Sequence, residues 1–122
     1  MDPALVTREA FETMVVDALD ALPDWTRPIV SEIAVLVEDH PRPDEAPRGG
    51  LLLGLFRGVP RTSYGGHPAG MLPDTITLYR IPILLVCDHP DDVPARVFKV
   101  LGHEVGHAMG LGEARLRELG WH

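Results

Sequence analysis

Twelve glycines and twelve prolines are spread through 122 residues, and they cut the chain into short elements. Two windows keep an apolar pattern at helical spacing for long enough to make an extended helix: Thr7 to Leu22, which holds no glycine or proline, and Asp91 to Met109, with Pro94 in its first turn. Short β-branched runs lie between them. That order predicts a single α+β domain over residues 1–122, a length close to the commonest domain size.

In the first window Phe11, Met14, Val15, Ala18, Leu19 and Leu22 recur at helical spacing, while Glu9, Glu12, Asp17 and Asp20 form a solvated face. Pro23 stops that helix, and Asp24 to Ser31 suits a short second one. Ile33–Glu38 reads as a strand. The proline-rich run from Asp39 to Gly50 reads as a surface loop, and Leu51–Phe56 as a second strand with Gly54 at a bulge or close approach. The irregular stretch from Arg57 to Asp74 has the length of a functional loop and suits a lid. Thr75–Arg80 reads as a third strand, and Pro82 just beyond it suggests a sheet edge. Ile83–Cys87 fits strand or helix equally. Glu113–Leu119 makes a short last helix closed by Gly120.

A net charge of −7 and a pI near 5.2 argue against binding to nucleic acid or anionic membranes, which need clustered Lys and Arg. The single cysteine, Cys87, excludes an intramolecular disulfide framework and reads as inert core. No run approaches the ~20 apolar residues of a membrane span. The start, Met1-Asp2-Pro3-Ala4, lacks the features of a signal peptide, so the expected address is cytoplasmic. Oligomeric state has no signature in the sequence.

The second window carries His103-Glu104-Val105-Gly106-His107, an H-E-x-x-H pattern. In a chain of this composition it should arise by chance only roughly 0.02 times. Residues four apart share a helix face, so both imidazoles can reach one ion. Val93, Val97, Val100, Leu101, Val105 and Ala108 project onto a buried arc, with the histidines on its flank and Glu104 inside it. A carboxylate among valines is costly unless paired or used, and a metal-activated water is the obvious partner. Gly102 and Gly106 sit in the helix interior at a cost of roughly 1 kcal/mol each against alanine, which suggests another element packed on them.

Catalytic zinc wants a third protein ligand. A left-handed turn at Gly110 would bring Glu113 back toward the ion, making it the leading third ligand. Its alternative role is to complement the dipole of the helix it starts. His122, Glu118, His67 and His89 are rivals.

The run HEVGHAMGLGEARLRELGW resembles the C-terminal signature of the small bacterial zincin-like metallopeptidases, a family of poorly defined function. The resemblance extends upstream through LLGLFRGVP, the Tyr-Gly-Gly loop and LPDTITLYRIPI to AVLVED and the N-terminal helix. It implies a minimal zincin-like fold, a small mixed sheet packed against the N-terminal and H-E-x-x-H helices. It also implies Zn2+ as cofactor, His103 and His107 as ligands, Glu104 as catalytic acid/base and position 113 as third ligand. Here that position holds Glu where the family usually has Asp or His. The expected activity is hydrolysis of a peptide or protein substrate. A metal-stabilised binding module without turnover, or a hydrolase of non-peptide amides, would use the same residues. Tyr79, Tyr64, His67 and Arg80 are candidate oxyanion donors by type alone.

Overall fold

The computed structural model describes residues 1–46, 50–58 and 73–122. The lid reading of 57–74, with Tyr64 and His67, falls largely outside them.

Thr7 accepts a hydrogen bond from the Ala10 N–H and so caps the first helix, α1 (Arg8–Ala21). Its stripe of Phe11, Val15 and Ala18 is buried, and Leu22 leaves helical geometry just before Pro23. A 3-10 turn at Asp24–Thr26 leads into the one-turn helix α2 (Arg27–Val30), with Pro28 in its first turn. Three strands follow, β1 (Ile33–Glu38), β2 (Gly54–Arg57) and β3 (Asp74–Tyr79).

They form one mixed sheet in the order β1-β3-β2. β1 runs parallel to β3 with Ile33 opposite Asp74, and β2 runs antiparallel with Gly54 opposite Leu78. The third strand is therefore central, not an edge. Pro82 misled because the chain does not continue extended: it turns at Arg80 into helix α3 (Arg80–Leu85). The missing N–H of Pro82 falls in the first turn of that helix, where no partner is needed. The same turn makes Ile83–Leu85 helical, with Val86 and Cys87 beyond the helix end.

The long helix α4 (Val93–Ala108) follows a 3-10 turn at Pro90–Asp92, and α5 (Glu113–Leu119) ends the fold. No acidic side chain caps α4. The His89 ring accepts from the Asp91 N–H instead, and Asp92 makes no side-chain cap. Helix α4 packs against α1, β2 and β3. Val97, Leu101 and Val105 from α4, Phe11 from α1, and Ile76 and Leu78 from β3 are fully buried there. No helix among the described residues is long and apolar enough to cross a membrane.

Candidate metal centre

Every residue of the expected buried arc of α4 is buried, and Glu104 lies among them at 6% exposure. Its carboxylate is held from the sheet: Oε1 accepts the Phe56 N–H at 3.0 Å and lies 3.4 Å from His107 Nδ1. Oε2 has no hydrogen-bond donor among the described residues.

Strand β2 reaches Glu104 because Gly54 has no side chain. A Cβ there would stand 2.8 Å from Val100 Cγ1 and 3.3 Å from Glu104 Cγ. The close approach expected of Gly54 is thus the one that sets strand against helix. Leu53 accepts from the Tyr79 N–H, so the alternation of an antiparallel pair turns the Phe56 N–H to the opposite edge, where Glu104 sits.

His103 is oriented from the other end of the fold. Its Nδ1 lies 2.8 Å from the Trp121 carbonyl oxygen. A carbonyl only accepts, so Nδ1 carries the hydrogen and Nε2 keeps the lone pair a metal requires. That carbonyl is placed by two left-handed glycines. Gly110 (φ 72°) ends α4, with the Leu111 N–H bonded to the Gly106 carbonyl and the Gly110 N–H to that of His107. Gly120 (φ 76°) ends α5 in the same way, the Trp121 N–H reaching the Leu116 carbonyl. Helix α5 then folds back on α4, with Leu116 against Gly106 and the Trp121 ring against Gly102. These are the packing elements that the two interior glycines called for. Trp121 also stacks on Trp25, ring centroids 5.7 Å apart.

The His103 and His107 rings meet edge to face at 4.3 Å, and one donor atom from each of His103, Glu104 and His107 lies within 4.8 Å of the others. Two imidazole nitrogens are donors that zinc takes, and with a carboxylate beside them to face a bound water the cluster fits that ion. Glu113 stands outside this cluster, exposed at the first position of α5, where its charge complements the helix dipole. Of its rivals, His89 caps a turn, Glu118 pairs with Arg115 at 3.0 Å, and His122 lines a cavity beside His103 and Glu104. Among the oxyanion candidates, Arg80 is taken up by Asp39 and the Val6 carbonyl, and Tyr79 is buried in the central strand.

Sequence reasoning missed two groups, the Phe56 N–H and the Trp121 carbonyl. Both are backbone atoms without a residue-type signature. Gly54, Gly102 and Gly106 marked the places where these partners come close.

An H-E-x-x-H helix laid on a small mixed sheet defines a minimal zincin-like α+β fold. The family profile of zincin-like metallopeptidases matches residues 30–121, and the chain belongs to that family. Among solved structures it is similar to a conserved hypothetical protein from Thermus thermophilus, at 27% identity and a TM-score of 0.60. The match covers 85% of this chain and 94% of that one. No curated protein matches.

Proposed function

We propose that residues 1–122 act as one zinc-dependent peptidase domain, with His103 and His107 as ligands, Glu113 as third ligand and Glu104 as general base. The observation that carries this reading is the asymmetry of Glu104. One carboxylate oxygen is pinned to the sheet by the Phe56 N–H, and the other, beside two histidines, has no donor among the described residues. A merely structural glutamate would be expected to use both.

Zinc bound there supplies a Lewis acid and lowers the pKa of a coordinated water to about 7. The protein's own part is positional. The Trp121 carbonyl fixes the tautomer of His103, and β2 holds Glu104 in a single orientation. Glu104 Oε2 takes a proton from the attacking water and returns it to the leaving amine. Strand β2 is the sheet edge beside Glu104, so an extended peptide would lie along β2. The central strand β3 is paired on both sides and offers a peptide no such edge.

Glu104→Gln tests the reading. The substitution keeps an acceptor for the Phe56 N–H but cannot take a proton. Elemental analysis should find about one zinc per chain in wild type and variant alike, with peptide hydrolysis reduced at least ~10²-fold in the variant. Equal turnover in both proteins, or no zinc uptake by wild type, would overturn it.

A further inference from the structure

Beside the His103–Glu104–His107 cluster a cavity of about 270 Å³ runs along α4 and under the chain entering β2, with Leu52, Leu53, Arg96 and Lys99 in its wall. We propose that this cavity is a subsite for a carboxylate carried by a peptide substrate, with Arg96 and Lys99 as its anchors. The proposal rests on the peptidase reading and adds to it the class of substrate.

Arg96, Lys99 and His103 follow one another at spacings of three and four, so they share one face of α4. Lys99 is the sole lysine in a chain of net charge −7, and it lies beside the proposed catalytic groups. Both cations are half-buried, and among the described residues neither forms an ion pair. Asp88 and Asp92 line an adjoining cavity with them but stand beyond pairing distance. Two partly desolvated cations without a counter-ion are a poor arrangement for stability and a good one for capturing an anion.

Spacing then sets the register. Four helical residues separate Lys99 from His103 and seven separate Arg96, about 6 and 10 Å along the axis. An extended peptide advances about 3.3 Å per residue, so the carboxylate lies two to three residues from the scissile bond. Leu52 and Leu53 give the intervening residue an apolar wall. On a protein this acidic, the two cations give an anionic peptide its line of approach.

The test uses fluorescein-labelled hexapeptides of one alanine-rich sequence, with Glu or Gln at one interior position, each as C-terminal acid or amide. Binding to Glu104→Gln protein is read by anisotropy, which requires no turnover. Peptides with a carboxylate should bind roughly tenfold tighter than the uncharged Gln amide, with the advantage shrinking at 1 M salt. The Glu amide against the Gln acid tells a side-chain carboxylate from a terminal one. R96Q/K99Q should erase the advantage, and R96E/K99E should transfer it to a Lys peptide, which a merely misfolded protein could not do. Equal binding of all four peptides, or a preference that survives R96Q/K99Q, overturns the subsite. Wild-type cleavage of the same set keeps the two readings apart. Charge-dependent binding without cleavage removes the peptidase and leaves the subsite; cleavage indifferent to charge does the reverse.

Discussion

At the scale of single residues, Glu113 and Tyr79 have opposite histories. Glu113 has a reason in sequence to approach the metal and a place in the structure at the start of α5, outside the cluster. The two roles give different measurements. As a ligand, Glu113→Ala should strip zinc from protein purified with full occupancy in wild type. As a dipole partner alone it should cost only about 0.3–1 kcal/mol of stability and leave zinc untouched. We expect the loss of zinc, read by elemental analysis. Tyr79 is a buried hydroxyl that faces the Glu45 carboxylate without a well-formed hydrogen bond. Burial, and then the negative charge of Glu45, push its pKa up to about 12 from the usual 10. A raised folded value means the neutral phenol is favoured by the fold. The associated stability is complete below pH 10 and fades as the pH rises toward 12. Tyr79→Phe should therefore match or exceed wild type at neutral pH and lose less stability in alkali. A wild-type ultraviolet titration with no tyrosine step near pH 12 would remove the argument.

At the scale of elements, the centre is assembled by packing that motif spacing does not reveal. The H-E-x-x-H helix was legible because its apolar arc repeats without interruption, and the left-handed end at Gly110 because glycine is the residue such a turn takes. The order of the strands was not legible, since pairing is a tertiary choice and β3 carries no mark of its central position. Nor was the role of the turn after α5, whose Trp121 lies eighteen residues from the His103 that its carbonyl orients. That geometry depends on the Trp121 ring, 3% exposed, lodged against Gly102 and stacked on Trp25. Trp121→Ala should release the turn after Gly120 and let the carbonyl drift. Stability should fall by about 3–5 kcal/mol, and zinc affinity by about 10- to 100-fold as His103 loses its partner. Trp25→Ala removes the stack but leaves Trp121 seated, so its effect on zinc should be smaller. Competition with a chromophoric chelator ranks the two variants, and equal affinities would dissociate the C-terminal turn from the metal.

At the scale of the molecule, the two readable helices had to be joined to a sheet whose register the sequence pattern left open, and charge does part of that joining. Arg80, at the junction of β3 and α3, bonds to Asp39 at 2.8 Å just past the end of β1 and to the Val6 carbonyl at 2.8 Å before α1. One guanidinium thus ties the N-terminal segment, a sheet edge and the central strand together. Type alone offers Arg80 for catalysis; its side chain, only 14% exposed, is occupied in architecture. The same bond, with Arg8 adding to it, holds the Asp39 carboxyl below the ordinary aspartate value of 3.8. A depressed folded pKa contributes stability that is present above the unfolded value and lost as the pH falls through the folded one. Glu45, held low by the Arg42 N–H and by Arg57, adds a contribution of the same sign. The melting temperature should accordingly be level from neutral pH to about 5 and drop below about 4. Asp39→Asn should melt lower than wild type at about pH 7, because it leaves the Arg80 charge unanswered, and the two curves should converge only in acid, as the pH falls through the lowered Asp39 pKa. Calorimetric melting across that range decides it: a gap that persists in acid would show that Asp39 holds Arg80 by shape and not by charge.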